Sequence, residues 1–564
     1  INNTCIIRAK IFCDGYLSPR SSVQSYIFLN RKMTLPVVSI TTDNKYLNDS
    51  KIGIYVEGSY KSGQKNYEFN WRRPITFELF DAPEEEAELN QLCEARPQGG
   101  ASRGAKIKSL ALYAHKRFGE KTFGYEFFPE DRPEQTNYKS LLLRNAGNDF
   151  DYLYMRDAII QRVMALHTDV DWQAWQPAII YINGTYIGIQ NIRERSNDHN
   201  IYTNYDGLED VTVVENWWDI KAGEKALYED FKTFYAGHGM SLADFEERMD
   251  VSEFLDVMIM ELFFNNLDAP GNNFTIWRPN EEDGRWRVIL KDVDYTMGLY
   301  GDPYNYKILD WIYNPEFDAN HNWGANGYDG TRLFRRLMDI DEVRNAFIDR
   351  CCVYMGDFMN LDAIWQVWGP MYDKIKTEYP KHRALINQWW PNYDNEMSNA
   401  KTWLNNRTPY FYSYLSSYYR LGSPMQMQVN KGALDSDLER MKISINGVSL
   451  SNNVFDGKMP QNREVRLSGE NVSRWEMTTY TSSTGIQKKT YQGPTLSFNM
   501  PNCQYVKIEA IAGEGEGIEE IDTDANTQSG IGLYDLNGRK QNQMQKGMNI
   551  IKMSDGSVQK ILVK

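Results

Sequence analysis

In the stretch LDAPGNNFTIWRPNEEDGRWRVILKDVDYTMG, residues 267–298, Asp268 and Asn273 stand five apart in a Pro/Gly loop, and Asp292 and Asp294 follow a second apolar run. A carboxylate and an amide at that spacing are what a phosphoryl-transfer loop presents: a base that orients the accepting hydroxyl, and an amide oxygen for a metal. Phosphoryl transfer needs little covalent help, but it needs Mg²⁺ held against phosphates by two or three hard oxygen ligands from facing segments. Asp268 suits the base, and Asn273, Asp292 and Asp294 suit the metal ligands. D-x-x-x-x-N also arises by chance in an acidic chain, and D-x-D on a loop also serves as a turn or a Ca²⁺ ligand.

Phosphates call for cations. The run QGGASRGAKIKSLALYAHKRFG, residues 98–119, puts a Gly/Ser/Arg loop containing Arg103 ahead of an expected strand bearing Lys106 and Lys108 on one face and Ile107 on the other. A lysine there suits an α/β-phosphate contact, while solvated edge-strand lysines are the plainer reading. SLLLRNAGNDF, residues 140–150, carries Arg144 and Asp149 up to an expected helix, Tyr154 to His167. Its Arg156 and Asp157 are expected to face away from the stripe Ile159, Val163 and Leu166. Asp157 is a candidate partner for the strand lysine, with Asp149 competing and an N-terminal dipole contact or solvated pair as the bland account. The hairpin AIIYINGTYIGIQNIRERS turns at Asn183-Gly184 and exits on Arg193 and Glu194, where either can reach a nucleotide. Arg103, Lys106, Lys108, Arg144 and Glu194 are thus the nucleotide-binding candidates.

These side chains need rigid carriers. The stretch Ser252 to Asn266 reads as a helix, capped by its serine with Glu253 in the first turn and apolar nearly all round, so it must be central. Strands Phe274 to Arg278 and Arg285 to Leu290 follow the Asp268 loop, and the second runs into Asp292. Upstream, Val37 to Ile40, Ile52 to Val56, Ala178 to Ile182 and Ile187 to Ile192 read as strands. After Gly422 the chain changes to short strands with Gly/Asn/Ser turns, the pattern of a β-sandwich. Residues 513–529, GEGEGIEEIDTDANTQS, are an acidic linker whose carboxylates would repel phosphate. The last segment, 530–564, holds three expected strands split by Asn-Gly, Lys-Gly and Asp-Gly turns. Residues 4–29 read as two strands, a pair too small to stand alone and so the remnant of a sandwich.

Composition narrows the function classes. With 564 residues, several domains are expected. A formal net charge of −14 argues against nucleic acid or anionic lipid as the main partner. No stretch reaches the ~18 apolar residues of a membrane span. Six cysteines without C-x-x-C support neither a zinc knuckle nor a disulfide framework, and six histidines without H-E-x-x-H argue against a metalloprotease. Cys5 and Cys13, eight apart on one expected strand, would lie roughly 26 Å apart, out of disulfide reach. The pairs Trp217-Trp218 and Trp389-Trp390 are most simply core or interface aromatics.

The pieces LPVVSITTD, GGASRGAKIKSL, LLLRNAGND, YMRDAIIQRV, INGTYIGIQNIRERS, NLDAPGNNFTIWR and RWRVILKDVDYTMG, in this order over roughly residues 35–345, resemble the spore-coat protein H (CotH) kinase-like family. The resemblance implies an atypical, reduced protein-kinase fold that uses ATP with Mg²⁺ or Mn²⁺ to phosphorylate protein side chains. It implies Asp268 as the catalytic aspartate, Asn273 and Asp292 (with Asp294 close by) as metal ligands, and Lys108 as the phosphate-binding lysine. The chain departs from familiar kinases: it has no G-x-G-x-x-G, no His-Arg before Asp268, and Val293-Asp294 in place of Phe-Gly. The loop Gly99 to Gly104 is expected to replace the glycine-rich lid, or the lid is missing. Residues 1–32 are similar to the end of small fibronectin- or chitobiase-type sandwich domains, and 530–564 resemble the sorting tails of exported Bacteroidetes-type proteins.

The expected fold class is therefore α+β: an atypical protein-kinase-like domain, 33–421, with flanking β-sandwich domains at 1–32 and 422–512. The expected function is an exported kinase acting on Ser/Thr of a surface or secreted protein, in an extracytoplasmic setting. The alternative is a non-catalytic surface adhesion, scaffold or glycan-binding protein on the same fold.

Overall fold

The computed structural model describes residues 4–15, 21–83, 86–386, 393–431, 441–512 and, beyond these, the strand residues 530–534, 540–541, 547–553 and 558–563. The expected linker 513–529, the turns of the last segment and the Trp389-Trp390 pair lie outside the described residues. The chain divides into two compact units, Ile1–Arg420 and Leu421–Lys564.

The first unit opens with the hairpin β1 (Cys5–Ala9) and β2 (Ser22–Tyr26), paired from Cys5 against Tyr26 to Ala9 against Ser22. It leans on the strands that follow: the Ser25 backbone N–H donates to Glu78 Oε1 at 2.9 Å, and the Ser25 and Ser39 hydroxyls meet at 2.9 Å. Seven strands then close a barrel: β3 (Val37–Thr41), β4 (Arg73–Phe80), β5 (Leu89–Pro97), β6 (Leu110–Tyr113), β7 (Ser140–Arg144), β8 (Trp175–Ile182) and β9 (Thr185–Arg193). The order is β3-β4-β5-β6-β7-β9-β8, all antiparallel except β3 against β8, which is parallel. Every residue of β3 is buried, as a strand covered on both faces requires. Closure also leaves no open edge. Asn183-Gly184, with φ of 47° and 77°, makes the tight turn between β8 and β9. Ile52 to Val56, expected as a strand, is instead a series of turns and bends; it lies outside the barrel's seven-strand closure.

A second sheet has the order β11-β10-β12-β13, from β10 (Val211–Glu215), β11 (Asp219–Ala222), β12 (Thr275–Pro279) and β13 (Arg287–Ile289). Trp277 anchors its core with Ile201, Val211, Val213 and Ile289. The central helix is Val251–Phe263, and its cap is Asp250, whose carboxylate accepts the Glu253 N–H at 2.9 Å, in place of the expected Ser252. Its three acids are buried, and two of them are matched: Arg287 Nε donates to Glu253 at 2.7 Å, and Arg350 and Tyr354 reach Asp256 at 2.8 and 2.7 Å. The third, Glu261, is pushed up to about 8 by burial. Helices from Gly327–Met338 to Tyr393–Tyr418 complete the unit. Among the described residues no helix is long and apolar enough to cross a membrane.

The second unit carries a five-stranded sheet from Pro424–Asn430, Val454–Pro460, Val472–Thr481, Gly485–Gln492 and Tyr505–Ala512. A four-stranded sheet joins Ile443–Ile445, Val448–Ser449, Glu464–Gly469 and Thr495–Asn499. In Glu464–Gly469 buried Val465 and Leu467 alternate with exposed Glu464, Arg466 and Ser468, the period of a half-buried strand. The last segment forms a further sheet of four strands, since the short Lys540–Gln541 pairs with Gly530–Tyr534 beside the two longer strands.

Candidate active site

Beyond the central helix, Asn265 takes a left-handed conformation, φ 59°, and turns the chain back. The Asp268 N–H then donates to Asn266 Oδ1 at 3.0 Å, and the Trp217 indole donates to the Pro270 carbonyl at 2.6 Å. Trp217 also stacks on Phe274, centroids 5.1 Å apart, so this tryptophan is a core brace for the loop, whereas Trp218 is exposed. Asp268, only 5% exposed, accepts a hydrogen bond from each following amide, Asn272 on one oxygen and Asn273 Nδ2 on the other at 2.6 Å. Burial pushes its carboxyl up to about 7; the Asp292 charge adds to this, and the two amides oppose it.

Pairing of Thr275 with Ile289 puts the entry to β12 and the exit from β13 at one end of the hairpin, so Asp268 and Asp292 face one cleft. Arg144, at the end of β7, binds Asp292 and Asp294 with the same Nη2, the second at 2.6 Å. Asp294 is fully buried and also accepts the Asn148 N–H and side-chain amide, both at 3.0 Å. Burial holds its carboxyl well above the ordinary range, the Asp292 charge adds to this, and Arg144 opposes it. Gly147, φ 61°, is required here: a Cβ would sit 2.2 Å from Asp294 Oδ2. Asp157 is the third acid of the cluster, 2.6 Å from Arg193 and 3.8 Å from Arg144 Nε, and it accepts the Val293 N–H at 3.0 Å. Burial alone would raise it, but the two guanidinium groups hold it below its usual value.

This corrects the expectation for the helix Arg156–His167. Arg156 and Asp157 do not face solvent; both are buried, Arg156 against Asp149 and Asp157 against Arg193. The helix therefore turns its charges into the molecule, where each finds an opposite charge.

The cleft has a volume of about 850 Å³. Arg72, Arg96, Arg103, Arg144, Arg195, Lys221 and Lys291 line it, against Asp198, Glu215, Asp268 and Asp292. In a chain of net charge −14, the cleft thus gathers seven cations against four carboxylates. Lys291 stands directly before Asp292, ion-paired with Glu215, and burial lowers its ammonium to about 8. Arg72, Arg96, Arg195, Lys221 and Lys291 were not among the residues the sequence nominated. For Lys291 the signal was present, since it adjoins D-x-D in KDVD.

Of the nominated residues, Asp268, Asn273, Asp292, Arg103 and Arg144 line the cleft, and Asp294 lies behind it on Arg144. Arg103 spends part of its guanidinium on the Glu68 carbonyl at 2.7 Å. Three others lie elsewhere. Lys106 and Lys108 are not on a strand: Ala101–Gly104 is a 3-10 turn and β6 begins only at Leu110. Lys108 folds back on its own loop, donating to the Arg103 and Ala105 carbonyls at 2.7 and 3.0 Å over the Tyr67 ring. Its candidate partner Asp157 is taken by Arg193. Lys106 donates to the Leu385 carbonyl at 2.8 Å. Glu194 is buried, binding the Ala174 N–H at 3.0 Å, Asn204 at 2.8 Å and Arg132 at 3.2 Å, and it ties the start of β8 to the end of β9.

A family model described as CotH kinase protein matches residues 95–411, more than half of the chain. The chain belongs to this family. No curated protein matches it. The matched CotH region begins at the end of β5 and contains Asp268, Asn273, Asp292 and Asp294, so the acidic loops and most of the cleft are family territory, while Arg72 on the approach to β4 is not. The family suggests a kinase-like activity and a protein substrate. Among the described residues of this CotH chain no three His, Cys, Asp or Glu side chains group to hold a metal. The oxygen donors at the cleft are carboxylates and amides, which suit a hard divalent cation that keeps water and phosphate oxygens in its shell. Asp292, its side chain 27% exposed, is the carboxylate with an open flank.

Proposed function

We propose that this CotH chain is an atypical protein kinase that transfers the γ-phosphoryl group of ATP to a Ser or Thr hydroxyl of a protein. The observation that carries the reading is a buried carboxylate, Asp268, held by two amides and facing Asp292 across a cleft walled by cations. Asp268 takes the proton of the accepting hydroxyl as that oxygen bonds to phosphorus and ADP leaves, and a base titrating near 7 is matched to that task. Lys291, Arg195, Arg96 and Arg72 supply positive charge for the phosphates, in place of Lys108. Mg²⁺ or Mn²⁺ would be held by Asp292 and the Asn273 amide oxygen, and when bound it neutralises phosphate charge. Asp294 and Arg144 hold Asp292 in place. Like charge between Asp268 and Asp292 supports this reading, because a divalent cation relieves it.

The same reading places the chain outside the cytoplasm, at the cell surface or secreted, with the sheets of residues 424–512 forming a sandwich. The likeness of 530–564 to sorting tails supports it, and cell fractionation followed by immunodetection tests it.

The decisive experiment is a thermal titration of the purified chain with ATP, with and without Mg²⁺ or Mn²⁺, alongside Asp292→Ala, followed by radiolabel transfer to envelope proteins. Metal-dependent stabilisation that Asp292→Ala removes is the expected result, because a ligand bound only to the native state stabilises it by mass action. A folded chain that shows no shift at millimolar nucleotide overturns the kinase reading in favour of a non-catalytic scaffold.

A further inference from the structure

A second pocket, about 490 Å³, opens in the first unit between residues 297–304 and the helix Tyr393–Tyr418. That helix spaces Glu396, Asn399, Trp403 and Asn406 by three, four and three residues, so all four share one stripe. A stripe that packs on a core is apolar; this one is polar around a single indole. Opposite it stand aromatic rings. Tyr152 and Tyr300 meet edge to face at 5.5 Å, and Tyr300 and Tyr304 remain 53% and 37% exposed. Gly298, φ 75°, lets the Trp403 ring approach, since a Cβ there would lie 2.6 Å from its Cδ1.

The base of the pocket holds a donor that lacks a partner and a carboxylate close by. Arg156, 2% exposed, binds Asp149 through Nη1, but its Nε has no hydrogen-bond partner. Its Nη2 is 3.9 Å from Glu396, beyond hydrogen-bond length. Glu396 is 7% exposed, and the nearest cation to its carboxylate is that guanidinium. Buried polar groups are normally satisfied, so an unpartnered Arg156 Nε beside the Glu396 carboxylate at one pocket floor points to a ligand that both accepts and donates.

We propose that this pocket is a binding site for a neutral saccharide. A hydroxyl is at once donor and acceptor, so one sugar hydroxyl or a vicinal pair completes Arg156 and Glu396 together. The tyrosine and tryptophan rings cover the apolar face of a pyranose, and the Asn399 and Asn406 amides offer both functions at the rim. Other ligand classes fit worse. A phosphate meets Glu396 and Asp302, and a lysine or arginine side chain meets Arg156 and has no use for the donors. The volume lies within the range of small-ligand pockets. The site is separate from the cleft and does not depend on the kinase reading.

The test is saturation-transfer NMR and calorimetry on the full chain with four probes: maltotriose, cellotriose, mannotriose and triacetylchitotriose. At least one binds with Kd of about 0.1–10 mM. Tyr300→Ala and Asn406→Ala, both at exposed positions and so expected to keep the fold, each weaken it about tenfold, and circular dichroism checks the fold. Absence of binding by all four probes to the folded chain overturns the proposal. So does binding that both variants leave intact, or pocket occupancy by a Lys/Arg-rich peptide with no saccharide response.

Discussion

The loop that enters β12 and the loop that leaves β13 both bring aspartates to one cleft, yet they treat them oppositely. Among the described residues the Asp268 carboxylate is bound by two neutral amides alone, and it is pushed up to about 7 by burial. Asp292 and Asp294 share a guanidinium, Arg144, and Lys291 stands beside them. The same residue type is held by neutral amides in one loop and by a guanidinium in the other. The lesson is that burial raises the proton affinity in both loops, of Asp268 and of Asp294, and that what differs is the partner opposing it, two neutral amides in one loop and a guanidinium in the other.

The largest test of that contrast is Asp268→Asn, expected to lower phosphotransfer kcat by about 10²–10⁴-fold while metal-dependent ATP stabilisation persists. If nucleotide binding disappears as well, Asp268 is a ligand like Asp292 and the contrast breaks. Arg144→Met should come next, costing about 3–5 kcal/mol in urea unfolding because it leaves Asp294 buried without its cation. A loss below about 1 kcal/mol would mean that Asn148 suffices and the guanidinium is incidental.

Proton linkage sharpens the contrast further. Asp268 has a folded pKa raised above its unfolded value, so its contribution to stability is full below about pH 4 and gone once pH has risen through about 7. The ligand-free wild type should therefore lose stability relative to Asp268→Asn across that window, read as the difference in urea midpoints. In parallel, kcat/KM should rise with pH through an inflection near about 7. A flat profile removes Asp268 from the base role. The smallest effect separates two lysines: Lys291→Met should raise the KM for ATP about tenfold. Lys108→Met should leave KM unchanged and lower Tm by a few degrees, through the loss of its two carbonyl contacts.

What was legible in the sequence was short-range. D-x-x-x-x-N and D-x-D located the two loops because each is one local segment between regular elements, and Asn183-Gly184 located a hairpin turn because the two residues that accept positive φ sit together. The central helix was visible from its apolar run, although its cap moved to Asp250. The barrel was not legible, because it closes by a parallel pairing of β3 with β8, strands more than a hundred residues apart. The cation wall was equally hidden, since Arg72, Arg96, Arg195 and Lys221 come from separate segments that no spacing rule links. Lys108 misled because an alternating pattern was read as a strand, while the backbone there turns and offers the ammonium two carbonyls of its own loop.

By itself, the sequence determined the family, the presence of a pair of acidic loops and the turns that frame them, all consequences of residue type and near-neighbour spacing. Tertiary structure alone decided which charges meet. It placed Arg156 and Asp157 inside, gave Arg144 to Asp292 and Asp294, and left Asp268 with amides. The reason is that the energy of a charge depends on its desolvation and on the opposite charges within a few ångströms, and both are set by segments distant in the chain.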